Sequence, residues 1–99
     1  MVSRQVTLTV NESPIGLNNF VHGYVDCVVS GIIASLKGTG EILGVNLALT
    51  GDQVSLVLNK EAIPLNPFVT RIIHNTIMGM VSSLKKVSAI ERMEITISG

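Results

Sequence analysis

The sequence predicts a two-layer α+β sandwich, an antiparallel sheet carrying two helices on one face. Three observations predict it: a unit written twice, strands that alternate between apolar and polar residues, and two long helical stripes between those strands. Shifting the chain by 48 positions lays residues 6–51 over 54–99 without a gap, and 14 of the 46 pairs are identical. Unrelated segments of ordinary composition would agree at roughly three of those places. The 99 residues therefore read as one domain, 1–99, built of two repeats, 6–51 and 54–99.

Each unit opens on a strand. Val6, Leu8 and Val10 alternate with Gln5, Thr7 and Thr9; Val54, Leu56 and Leu58 alternate with Ser55, Val57 and Asn59. This is the period-two signature of a sheet with one covered face. A polar turn follows in each unit, at 11–14 and 59–61. The runs Ile15-Gly16-Leu17 and Ile63-Pro64-Leu65 are expected to return as extra short hairpin strands, 15–17 and 63–65. Pro64 would restrict the second to an edge or a bulge.

The helices announce their starts. Asn18 and Asn66 are the expected N-caps, and Pro67 takes the first helical position, where a missing N–H costs nothing. Apolar residues then recur in pairs every four positions: Phe20-Val21, Tyr24-Val25, Val28-Val29 and Ile32-Ile33, then Leu36. The second unit repeats this with Phe68-Val69, Ile72-Ile73, Ile77, Met80-Val81 and Leu84. That is a helical period with a wide apolar stripe, and Phe20, Phe68, Leu36 and Leu84 are expected to fill the core. Lys37 closes one helix and Lys85-Lys86 the other, where positive charge suits the dipole; Gly38 and Gly40 read as the exit.

A second alternating strand ends each unit. Val45, Leu47 and Leu49 oppose Asn46, Ala48 and Thr50; Met93, Ile95 and Ile97 oppose Glu94, Thr96 and Ser98. Thr50-Gly51-Asp52-Gln53 joins the units as a tight turn. The major order is β-α-β-β-α-β. Two βαβ halves joined by a hairpin suggest a ferredoxin-like sandwich.

Composition narrows the function classes. Seven Lys and Arg balance seven Asp and Glu, so no net field favours nucleic acid or an anionic membrane. Only 14% of residues are charged while 46% are hydrophobic; about 25% charged is usual. A small globule of that makeup leaves aliphatic surface wet unless a second subunit covers it. The expected partner is thus a second copy, with a dimer the first guess. Cys27 is the lone cysteine, which allows neither an internal disulfide nor a thiolate metal cage. The N-terminus has no apolar run of signal-peptide length. The apolar stretches 20–36 and 68–84 contain His22, Asp26, Arg71, His74 and Asn75, and fall short of the roughly 20 clean residues of a membrane span. The expectation is a cytoplasmic protein with no cofactor, metal, nucleic acid or membrane.

A few residues ask for a reason of their own. Gly31 and Gly79 each cost a helix about 1 kcal/mol relative to alanine. Gly23, Cys27, Gly31 and Ser35 fall at four-residue spacing on one face, echoed by Asn75, Gly79 and Ser83. Such a row admits another backbone, within the subunit or across a dimer, or leaves room for a ligand. Met78 and Met80 flank Gly79, and either line an adaptable pocket or fill the core. His22 and Asp26, four apart, are a candidate polar pair. They read as a base with its orienting carboxylate, or as two polar groups on a solvated flank. Cys27 points about 100° away from Asp26, which disfavours a Cys–His nucleophile and leaves a core or interface thiol.

The usual chemical signatures are missing: there is no phosphate-binding glycine loop, catalytic-serine elbow or CxxC. Families of this layout differ in function. RNA-recognition motifs need stacking aromatics and basic residues on the open sheet face. Here that face has Thr7, Thr9, Asn46, Ala48, Ser55, Val57 and Thr96. Copper chaperones need the CxxC, and acylphosphatases an arginine in the loop at 11–17, which has none. The sequence therefore reads as a small, non-enzymatic oligomerising or interaction module. The alternative is a small-molecule-binding sensor or regulatory domain, ACT-like, with an apolar pocket for a neutral or apolar ligand between helices or at a subunit interface.

Overall fold

The computed structural model describes residues 5–37, 43–84 and 90–98. In chain order the elements are β1 (Gln5–Val10), β2 (Ser13–Ile15), α1 (Asn19–Lys37), β3 (Gly44–Thr50), β4 (Gln53–Leu58), β5 (Glu61–Ala62), α2 (Pro67–Ser82) and β6 (Arg92–Ser98). Lys85, Lys86, Gly38 and Gly40, expected to end the helices, lie outside the described residues, as does the side chain of Lys37.

The alternation seen in the sequence becomes one apolar sheet face because the register keeps like faces together. Leu47 stands opposite Ile95 on β6 and Leu56 on β4, and Leu8 stands opposite Ile95 from the other side. Directly paired residues share a face, so the aliphatic halves of all four long strands point the same way. Val25, Val29 and Ile33 of α1 and Ile73, Ile77 and Val81 of α2 cover them, none more than 3% exposed. Burying one such side chain contributes roughly 1.5–3 kcal/mol. Among the described residues every buried one is apolar. The radius of gyration, 12.7 Å, matches the ~13 Å of a compact chain this long.

The six strands form one antiparallel sheet in the order β2-β1-β6-β3-β4-β5. The α+β class and the sheet-plus-helices layout stand as expected, but the order is unusual. The strands that close the units, β3 and β6, pair at the centre, and the opening strands β1 and β4 flank them. Consequently β1 pairs with β6 and β4 with β3, so each unit's opening strand is completed by the other unit.

The 48-residue shift recurs in hydrogen bonds. Asn18 Oδ1 accepts the Val21 N–H at 2.8 Å and Asn66 Oδ1 the Val69 N–H at 2.7 Å, which caps both helices as expected. Asn11 Oδ1 accepts from the N–H groups of Glu91 and Arg92 at 2.8 and 3.1 Å. Asn59 Oδ1 accepts from Leu43 and Gly44 at 2.7 and 3.0 Å. The Asn11 and Asn59 backbone N–H groups donate to the carbonyls of Arg92 and Gly44, each at 2.8 Å. Each turn asparagine therefore clamps the start of the other unit's central strand.

Two expectations are corrected. The extra hairpin strands lie at 13–15 and 61–62, not at 15–17 and 63–65. The turns are shorter than the polar runs suggest: Asn11-Glu12 has φ of 50° and 70°, and Asn59-Lys60 has 49° and 70°. Two left-handed residues make the I′ hairpin, whose twist matches that of the strands. Phe20 and Phe68, expected in the core, are 75% and 59% exposed. At about 100° per residue Phe20 lies about 140° round α1 from Val25, away from the sheet. Leu36 and Leu84 are half-buried and pack against the core.

Candidate functional site

Each helix commits only a narrow line of residues to the sheet, so its opposite face is left to solvent. On α1 that face holds Phe20, Gly23, Tyr24, Cys27, Gly31 and Ser35, all exposed. Tyr24 is 50% exposed and stacks on Phe20 with ring centroids 5.9 Å apart. On α2 the equivalent face holds Phe68, Arg71, Ile72, Asn75, Gly79 and Ser83, also exposed, with Ile72 at 47%. The outer surface of the helix layer thus pairs bulky apolar groups near each helix start with small residues towards its end.

The glycines of the small-residue rows face open space among the described residues. A Cβ built on Gly23, Gly31 or Gly79 would meet nothing within 4 Å. Ser35 Oγ donates to the Gly31 carbonyl at 3.0 Å, and Ser83 Oγ to the Gly79 carbonyl at 2.9 Å. Hydroxyls folded back on their own helix leave the rows smooth. Among the described residues, nothing is packed on these glycines from within the subunit. Cys27 is exposed and is not a core thiol.

The other candidates are not brought together. Met78 and Met80, both half-buried, leave α2 about 200° apart, on opposite flanks of the outward-facing Gly79. His22 and Asp26 share the α1 flank away from that row and are half-buried. Asp26 accepts a hydrogen bond from Ser30 Oγ at 3.2 Å. Among the described residues no three His, Cys, Asp or Glu gather to hold a metal ion.

Sequence reasoning missed a role for His74. Its Nε2 lies 2.9 Å from the Gly51 carbonyl and its Nδ1 3.2 Å from Asn75 Oδ1. The ring ties α2 to the turn between the two units and overlooks a groove of about 630 Å³ that includes Asp52, Thr70 and Arg71. A second groove, about 710 Å³, runs from the β2 arm to the end of α2, past Ile15, Val21 and Leu84. On the open sheet face Asn46 Nδ2 donates to Glu94 Oε2 at 2.7 Å and to Thr96 Oγ1 at 3.4 Å. By length and mean hydropathy, 1.3 over Asn19–Leu36, α1 is apolar enough to cross a membrane, and 17% of that window is buried. One such helix is weak evidence for a span, because a mostly buried core helix and a signal sequence near the N-terminus meet the same criterion. Comparisons with family models, with curated proteins and with solved structures found no match.

Proposed function

We propose that this protein is a small homo-oligomerising interaction module of the cytoplasm, without chemistry of its own, built on a duplicated βαβ layout. The observation that carries this reading is the outer helix surface, where Phe20, Tyr24, Phe68 and Ile72 are 75%, 50%, 59% and 47% exposed. Large aromatic and branched side chains left exposed at the start of each helix mark an interaction surface more often than a solvated one. The test is the mass in solution of the intact chain beside a Phe20→Ser, Phe68→Ser variant. Assembly that the two serines abolish supports the reading; a wild-type monomer at micromolar concentration refutes it.

One observation favours a second reading. The groove past Ile15, Val21 and Leu84 is about 710 Å³, within the ~300–1,000 Å³ of small-molecule sites, and would suit a neutral, partly apolar ligand in an ACT-like regulatory domain. A panel of neutral metabolites that leaves the melting temperature unmoved would exclude it.

A further inference from the structure

We infer that the partner covering the helix layer is a second copy of this chain, seated α1 against α1, antiparallel, across a two-fold axis beside Cys27. The inference rests on the module reading above and specifies its interface.

Shape is the first argument. The outer face of α1 is bulky in its first half, with Phe20 stacked on Tyr24, and bare in its second, with Gly31 and Ser35 exposed. An antiparallel copy sets Phe20 against Ser35 and Tyr24 against Gly31, so each ridge enters the other's hollow. Both pairs share a midpoint between residues 27 and 28, about 11 Å along the helix from Phe20 at 1.5 Å per residue. A single two-fold axis therefore satisfies both, as a self-complementary contact requires. It also gives the glycines a purpose: they are spared a Cβ although, among the described residues, nothing lies within 4 Å of one.

Charge chooses α1 over α2. The exposed row Gly23, Cys27, Gly31, Ser35 carries no charge, so two copies meet without repulsion. On α2 the place of Gly23 is taken by the exposed Arg71, and the outer face of α2 has no carboxylate to receive its copy's guanidinium. Burying an unpaired cation is costly, so α2 lies at the rim of the contact.

Area and edges complete the case. The molecule measures 36 × 34 × 18 Å, so the broad helix face outlines about 1,200 Å². A standard interface takes about 800 Å² from each partner, which two-thirds of the face supplies. The sheet edges offer little competition. β2 is three residues long and contains Pro14, and β5 is two residues long. Short, proline-bearing edges resist strand addition.

The geometry has a direct readout. Packed helices have axes about 8–10 Å apart and a Cα radius near 2.3 Å, which leaves about 3–5 Å between facing backbones. The two Cys27 residues then come within the roughly 7 Å that a disulfide spans. The full-length chain, reduced and then treated with diamide as the two-electron oxidant, is expected to give a covalent dimer through Cys27. A Cys27→Ser, Ser55→Cys variant, whose only thiol is on the open sheet face, is expected to give none. Gly31→Leu drives a side chain into the partner's Tyr24, and is expected to raise the dimer dissociation constant about tenfold or more while leaving the melting temperature of the monomer level or higher. A dimer that fails to cross-link at Cys27, or that cross-links at position 55 instead, overturns the α1 contact and leaves the module reading standing. A wild-type chain that stays monomeric by mass overturns both.

Discussion

Removing the carboxamide of Asn59 tests how the two units hold each other. Asn59 Oδ1 accepts the N–H groups of Leu43 at 2.7 Å and Gly44 at 3.0 Å, at the entry to central strand β3. Each such bond contributes about 1 kcal/mol net, less where the donor is open to water as Leu43 is. Asn59 also sits at φ 49°, a left-handed conformation that asparagine tolerates and alanine pays about 1 kcal/mol to adopt. Asn59→Ala should therefore destabilise the fold by about 2–3 kcal/mol, out of the ~5–15 kcal/mol typical of a domain. In a domain of this size that lowers the melting temperature by on the order of 15 °C. Asn59→Asp keeps an acceptor oxygen and the tolerance for positive φ, and should cost under about 1 kcal/mol. Urea unfolding at fixed protein concentration measures both. A loss below about 1 kcal/mol for Asn59→Ala, or equal losses for the two variants, would refute the clamp. Asn11→Ala should repeat the result at the entry to β6.

Other substitutions probe the turns, the helix cap and the helix–sheet packing. Lys60→Gly removes a left-handed lysine at φ 70° and should raise stability by about 0.5 kcal/mol once glycine's extra unfolded-state freedom is offset; a loss in urea unfolding would argue against the I′ turn. Asn66→Ala deletes the cap on Val69 and should cost about 1 kcal/mol, visible as a lower thermal midpoint. Ile77→Ala and Gly79→Ala, two residues apart, should act oppositely. The first empties a site with no exposure and costs about 2–5 kcal/mol. The second adds a Cβ that meets nothing within 4 Å and gains up to about 1 kcal/mol from helix propensity. Matching effects in calorimetry would mean that α2 is rotated from the orientation described.

Local features were legible where one residue type has one physical use. Alternation located β1, β3, β4 and β6 because a pleated strand has only two faces. Asn18 and Asn66-Pro67 located the helix starts because few other arrangements satisfy the first N–H groups. The strand order was not legible: alternation says which face a residue takes, and nothing about which strand lies beside it. The hairpin offset was hidden because Asn-Glu and Asn-Lys lack the glycine that usually marks a I′ turn, while the left-handed φ falls on Glu12 and Lys60 all the same. Phe20 and Phe68 were misplaced by residue type. Counting about 100° per residue from the Val25-Val29-Ile33 line would have turned them outward. The same count puts Gly31 outward, and the bare row beside a stacked aromatic pair is the feature the functional reading now depends on. The Asn11/Asn59 identity was in plain view, but a clamp between units needs the knowledge that each opening strand pairs with the other unit.

Self-association is tested most directly by the mass of the intact, unrefolded chain in native mass spectrometry at micromolar concentration. Self-association through the helix layer requires twice the 10.5 kDa of the single chain with no added mass, falling to the single-chain mass in the Phe20→Ser, Phe68→Ser variant. A wild-type species at 10.5 kDa, or a dimer that the two serines leave intact, would contradict it.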